Sequence, residues 1–273
     1  FSTPLLPILS LRVLLDGRHR PHRIHHQMLD ENNPEHPRQL IPEICRLFYR
    51  NGWVTGTGGG ISMRGSDGDY YVAPSGVQKE RIVGDDLFVL DRAGNIVEGP
   101  RSERASKLKQ SDCTPLFYNA FRLRHAGACI HTHSPKAVFL TMLMERAAAK
   151  PEATHAFREF KISHVEMIKG IYDPVEKRNL HFNEVLVVPI IDNTNFECEL
   201  TDSMAQAMTE YPSTNCVMVR RHGIYVWGET WQRAKTMTEC YDYLFSLAID
   251  MLQAGLPLVN EPAASPKAAA PVQ

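Results

Sequence analysis

The chain carries no excess of charge of either sign. Thirty Lys and Arg stand against 31 Asp and Glu over 273 residues, a formal net charge of -1 with the 12 histidines neutral. That balance excludes the basic footprint by which proteins grip nucleic acid or an anionic membrane surface. No apolar run is long enough to span a bilayer. The leucine-rich stretch at residues 4–15 is broken by Arg12 and has no basic segment before it, so it makes a poor signal peptide. There is no Cys-x-x-Cys. Cys45, Cys113, Cys129, Cys198, Cys216 and Cys240 are scattered, which argues against a disulfide framework and for reduced thiols in the cytoplasm. Nucleotide signatures are absent too. The run Thr55-Gly-Thr-Gly-Gly-Gly60 has Ile61 where a dinucleotide fingerprint needs its last glycine, and no Gly-Lys-Ser/Thr follows for a Walker loop.

What remains reads as one large domain between two peripheral ends. Residues 1–33 are expected to be an N-terminal extension. Met28 would be a sensible start, and residues 1–27 are expected to be dispensable for fold and catalysis. Residues 34–257 carry the periodic segments, and 258–273 form an Ala/Pro-rich tail expected to lack structure. Helical spacing predicts helices over 36–50, 111–124, 134–144, 200–208 and 230–252. Residues 145–155 read as an Ala- and charge-rich loop or helix extension. Strands are expected at 69–73, 87–91, 128–133, 162–168, 185–191, 216–220 and 224–227. The last two lie too close for a helical crossover and should pair antiparallel. The fold class is therefore α/β: a three-layer α/β/α sandwich around a central mixed, largely antiparallel sheet.

Three histidines carry the chemical signal. His131 and His133 sit in Ala-Cys-Ile-His-Thr-His-Ser-Pro, and alternation along a strand points both the same way. Ser134-Pro135 then reads as a helix cap with proline at the first helical position, so the pair lies where a strand gives way to a helix. His222, in Val-Arg-Arg-His-Gly-Ile, lies at another strand end. Three imidazoles with an open fourth position are the ligand pattern of a catalytic zinc. His-x-His alone is compatible with two unrelated polar strand positions; the third histidine and the strand-to-helix setting add the weight. Gly58, Gly59 and Gly60 in the first glycine loop, and Ser75 and Gly76 in Ala73-Pro-Ser-Gly-Val77, offer backbone N–H groups to an anion, although each loop alone fits a plain tight turn. Glu166, projecting from an expected strand, is a candidate acid/base, against the blander reading of an exposed glutamate. Cys113, near a helix start, is a candidate low-pKa thiol, against that of a buried small residue.

Longer motifs point to a family. Gly52-Trp-Val-Thr-Gly-Thr-Gly-Gly-Gly-Ile-Ser62, Ala73-Pro-Ser-Gly-Val-Gln-Lys-Glu-Arg81, Cys113-Thr-Pro-Leu-Phe117, Ile130-His-Thr-His-Ser134, Glu166-Met-Ile-Lys-Gly170, Arg220-Arg-His-Gly223 and Trp227-Gly-Glu-Thr-Trp231 together resemble the methylthioribulose-1-phosphate dehydratases of the zinc-dependent class II aldolase/adducin superfamily. The resemblance spans residues 34–252. It implies one zinc per subunit on His131, His133 and His222, with Glu166 as acid/base and Cys113 at the substrate. It also implies a homotetramer with sites at subunit interfaces, acting on a small phosphorylated sugar-like substrate in methionine salvage. The residues before Met28, those around 145–155 and the tail depart from the pattern without removing a motif residue. Two other readings stay open here. A sugar-phosphate aldolase would use an acid such as Glu103 after a Pro-Ser-Ser-like turn. A non-enzymatic module of the adducin type would keep the fold without the metal.

Overall fold

The computed structural model describes residues 30–148 and 158–260. Helix α1 (Pro37–Arg50) starts where extended His36 turns its Nδ1 back to accept from the Arg38 N–H, with proline in the first turn. Leu40, Ile41, Ile44, Cys45 and Phe48 form its buried stripe. A glycine-rich turn leads to β1 (Gly60–Arg64), then β2 (Tyr70–Val72), β3 (Phe88–Leu90) and β4 (Ile96–Glu98). Helix α2 (Thr114–Arg124), strand β5 (Ala128–Thr132) and helix α3 (Pro135–Ala148) follow, then β6 (Glu159–Ile162). A two-stranded ribbon, β7 (Tyr172–Asp173) with β8 (Arg178–Asn179), precedes β9 (Leu186–Ile191). Helix α4 (Thr201–Glu210), strands β10 (Cys216–Val219) and β11 (Gly223–Gly228), and the long helix α5 (Trp231–Gln253) complete the chain. None of the described helices is long and apolar enough to cross a membrane.

Nine strands make one sheet in the order β4-β3-β2-β1-β5-β11-β10-β9-β6. Every pairing is antiparallel except β9 with β10, which α4 connects as a crossover. Side chains alternate between two helical layers. Ile224 and Val226 of β11 and Met218 of β10 pack with α3 and α5 against Leu140, Leu244 and Phe245. Ile61 and Ile130 extend that face under α1. Tyr225 and Trp227 of β11 and Val217 and Val219 of β10 point the other way, onto α2 and α4 through Leu116, Phe117, Met204 and Met208. The expected three-layer sandwich is the observed one.

Details differ from the sequence reading for identifiable reasons. The strand expected at 162–168 ends at Ile162. His164 takes a left-handed conformation (φ 60°) and Glu166–Gly170 forms a 3-10 turn. The apolar Val165 and Met167 suggest continued alternation, but Met167 is exposed and Ile168 is the residue that the turn buries. Strands β1 and β4 were not expected: the first follows a glycine run, and β4 is a short, largely exposed edge. Helix α2 begins at Thr114, with Cys113 as its cap residue. Helix α3 runs on to Ala148, taking in the start of the segment at 145–155; residues 149–157 lie outside the described residues, as do 1–29 and 261–273. Both domain edges hold structure beyond the expected limits. Gln39 donates to the Glu31 carbonyl at 2.9 Å, and the Ser163 N–H donates to the Leu258 carbonyl at 3.0 Å.

Gly223 opens β11 directly against β5. A Cβ there would lie 1.9 Å from the Thr132 carbonyl oxygen, so only glycine lets the two strands pair in this register. Gly223→Ala is expected to lower unfolding free energy by about 3 kcal/mol, the upper end of overpacking costs. Urea unfolding followed by circular dichroism checks this, and a change below about 0.5 kcal/mol would mean that the strands part without cost.

Candidate metal centre

Three adjacent strands deliver the site. His131, fully buried in β5, stacks on Tyr225 of β11 with ring centroids 4.0 Å apart. Its Nδ1 lies 2.9 Å from the Ile224 carbonyl. A carbonyl only accepts, so Nδ1 carries the proton and Nε2 presents a bare lone pair. His222 sits in the turn between β10 and β11. Its backbone N–H reaches the Val219 carbonyl, and Arg221 beside it takes φ 57° to complete the reversal. Its Nδ1 lies 2.9 Å from Asn193 Oδ1, which again leaves Nε2 free for a ligand. His133, just past β5, is anchored by its N–H on the Trp53 carbonyl at 2.7 Å. Its Nε2 lies 2.9 Å from that of His131 and 3.1 Å from that of His222.

A fourth donor completes the cluster. Glu197, in a short 3-10 turn after β9, places Oε1 3.0 Å from His222 Nε2 and 3.6 Å from His131 Nε2. Its other oxygen accepts from the Tyr225 hydroxyl at 2.6 Å. The four candidate ligand atoms all lie within 4.8 Å of one another. Burial pushes the His131 pKa down against the pull of Glu197, and burial with the two neighbouring imidazoles takes His133 down to about 3. Both are thereby held neutral, the form that binds metal. Burial acts to raise the Glu197 pKa, but hydrogen bonds from His131, His222 and Tyr225 hold it far below the usual carboxylate range. Lone pairs of three imidazoles and a carboxylate converge here, with the protons of His131 and His222 committed to outer partners, and they repel unless a cation sits among them. The residues therefore fit a divalent metal, and an N3O donor set suits a first-row transition ion.

The glycine loop passes over this cluster. A Cβ on Gly58 would sit 2.3 Å from His133 Nδ1, and Gly59 (φ 69°) has both Val54 and the His131 carbonyl within 3 Å of where its Cβ would be. Gly60 starts β1 opposite His131. Ser75 and Gly76 lie on the neighbouring loop, where the Ser75 hydroxyl donates to Asp112 at 3.2 Å. Cys113 is buried beside the site, within reach of Tyr225. Its expected low pKa is overturned. Burial, with the charge of Glu197 adding to it, pushes the thiol up to about 12 and outweighs its place at the start of α2.

Glu166 does not join the histidines within the chain. β6 runs antiparallel to β9, so it leaves the sheet at the end opposite His222, and Glu166 follows four residues later. The Glu166 side chain is 78 % exposed and pairs with Lys169 at 2.8 Å. Glu103 is exposed and also lies outside the cluster. Sequence reasoning missed Glu197 and Asn193. Both stand in an aperiodic loop, and the only available signal was an acid shortly after a strand whose C-terminal end faces the site.

Comparison with known proteins now places the chain. Residues 39–249 match the model of the Class II Aldolase and Adducin N-terminal domain. The chain belongs to the class II aldolase and adducin family. Several relatives of more than 50% identity carry one name. A protein of Leishmania braziliensis named "Probable methylthioribulose-1-phosphate dehydratase" is 55% identical over 229 residues, 84% of this chain and 95% of that protein. A protein of Drosophila melanogaster with the same name is 54% identical over 222 residues, 81% and 92% of the two chains. Among solved structures, an L-fuculose 1-phosphate aldolase superposes with a TM-score of 0.62 at 21% identity, covering 82% of this chain and 90% of its own. A sugar-phosphate aldolase from Thermotoga maritima gives 0.53 at 13%, covering 82% and 97%. These two share the fold.

Two outcomes test the site. Alanine at His131, His133 or His222 should each remove stoichiometric divalent metal, and Asn193→Ala should weaken metal binding about 10–100-fold through the loosened His222 ring; chelator competition with metal analysis reads both. With its thiol near pKa 12, Cys113 is only about 10⁻⁴ thiolate at pH 8. Iodoacetamide should label exposed Cys198 and spare Cys113 in the folded protein, as read by peptide mass spectrometry.

Proposed function

We propose that the protein is a zinc-dependent hydro-lyase converting 5-methylthioribulose 1-phosphate to 2,3-diketo-5-methylthiopentyl 1-phosphate, a step of methionine salvage in the cytoplasm. One observation carries the reading: a convergent three-histidine cluster lies in a chain 55% identical, over 84% of its length, to a protein named for that dehydration. His131, His133 and His222 would hold the zinc, with Glu197 as a fourth donor. Bound there, zinc supplies Lewis acidity to the substrate's ketone and adjacent hydroxyl, making the C3 proton acidic.

The chain's own residues then have defined tasks. A base takes the C3 proton, the C4 hydroxyl leaves as water after receiving a proton, and the resulting enol tautomerises to the diketone. Glu166 is the proposed proton carrier. Its position at the far end of its own sheet requires a neighbouring subunit, so the proposal includes a homotetramer in which Glu166 of one subunit serves the histidines of the next. Cys113 stays protonated against the substrate wall, and the Tyr225 hydroxyl fixes the orientation of Glu197. Gly58, Gly59, Gly60, Ser75 and Gly76 border the space for the phosphate.

A second reading concerns the proton carrier alone. Glu197 already lies at the cluster and is the intrachain alternative to Glu166. Glu166→Gln should retain zinc and the tetramer yet lose about 10²–10⁴ in kcat, the usual contribution of general acid/base catalysis. A loss of only a few-fold would transfer the role to Glu197. The product must be a diketone formed without carbon–carbon cleavage; a retro-aldol product with no diketone would make the enzyme an aldolase.

A further inference from the structure

Lys79 has no part in the metal cluster, yet it is 1 % exposed. Its ammonium donates to the Thr57 carbonyl at 2.8 Å and the Val77 carbonyl at 3.1 Å. One carbonyl belongs to the glycine loop over His133 and the other to the Ser75–Gly76 loop, so a single side chain ties the two loops together. An ammonium has three donors and two are used. Among the described residues no carboxylate forms an ion pair with it. Its Thr57 partner adjoins Gly58, which packs on His133, so the ammonium lies beside the site. Burial of an unneutralised charge is costly. Carbonyls solvate it in part but do not cancel it.

The loops above are short of acceptors. Among the described residues, the backbone N–H groups of Gly59, Gly76 and Val77 donate to no protein group. Gly59 and Gly76 both hold positive φ, 69° and 65°, a conformation that turns backbone N–H groups outward into an anion-binding concavity. Unused donors on two loops, over a buried cation with no counter-ion, form a site lacking only its anion. The Ser75 hydroxyl, already donating to Asp112, contributes no charge.

We infer that Lys79 is the specificity-determining positioning residue for the substrate's phosphate: it fixes the two loops by their carbonyls and supplies the counter-charge for a dianion bound on their N–H groups. The inference rests on the proposed dehydration of a sugar phosphate. In that setting the phosphate meets backbone donors, and the buried ammonium makes the pocket favour a dianion over a neutral hydroxyl.

The test compares zinc-loaded wild type with Lys79→Met and Lys79→Gln. The glutamine removes the charge while keeping N–H donors on a side chain one atom shorter. kcat/KM is measured for 5-methylthioribulose 1-phosphate and for its unphosphorylated analogue. Both variants should lose about 10–100-fold on the phosphorylated substrate, chiefly in KM, and little on the analogue. Equal losses on both substrates would show a role in structure alone and overturn the inference. So would an unchanged preference. A separate reading does not depend on turnover: inorganic phosphate should raise the melting temperature of zinc-loaded wild type and fail to do so in both variants. Phosphate stabilisation that survives both substitutions, as it would if zinc were the phosphate ligand, overturns the role of Lys79. If wild type binds phosphate through Lys79 but forms no diketone, the dehydratase reading fails and the anion site stands.

Discussion

The site depends on the register of β5 against β11. That ladder sets His131 opposite Tyr225 and Thr132 opposite Ile224. It stacks the His131 ring on Tyr225, gives Nδ1 the Ile224 carbonyl, and places the turn carrying His222 beside the end of β5. A slip of β5 by one residue would send His131 to the α5 face, away from Tyr225 and Glu197. Gly223 holds the register by permitting an approach that any side chain would block. The metal cluster is thus a by-product of strand pairing, and its precision comes from rigid elements.

Around the ladder, polar groups are buried in a fixed order. Tyr225 orients Glu197, Asn193 orients His222, and Ile224 orients His131. Each outer contact decides which nitrogen carries the proton, and so which one faces inward. Ser134 adds a link on the far side. It caps α3 and bonds Asp242 of α5, so the strand end bearing His133 is fastened to the longest helix of the fold. In a low-dielectric setting such a network is stable only when every member has its partner. At the centre of the network lone pairs converge inward, and a cation would satisfy them.

The geometry also accounts for a division of labour. The candidate metal-binding groups come from one chain and are buried or half-buried, whereas Glu166 is exposed at the opposite end of the sheet. Under the proposed tetramer, assembly would complete the catalytic apparatus, and an isolated subunit would bind metal without turning over substrate. The two loops tied by Lys79 belong to the same chain as the histidines.

Much was determined by the sequence alone. The periodicities of α1, α5, β9 and β10 follow from burying one face, and they dictate a three-layer sandwich. His-x-His at a strand end before Ser134-Pro135, with His222 before Gly223, marked the three histidines that converge in the fold, because local spacing fixes where those side chains can point. Tertiary structure decided the rest. Glu197 and Asn193 sit in a loop without period, and only the packing of that loop against β11 brings them to the histidines. The thiol of Cys113 is raised by burial, which no local motif encodes. The break at His164 that carries Glu166 away from its own histidines leaves no trace in the apolar pattern. Lys79 reads locally as a surface lysine in a polar turn. Val77 is a local partner, but the burial of Lys79 and its contact with Thr57, 22 residues earlier in the chain, arise only when the two loops close around it, because long-range contacts are set by the whole fold and short-range ones by the sequence nearby.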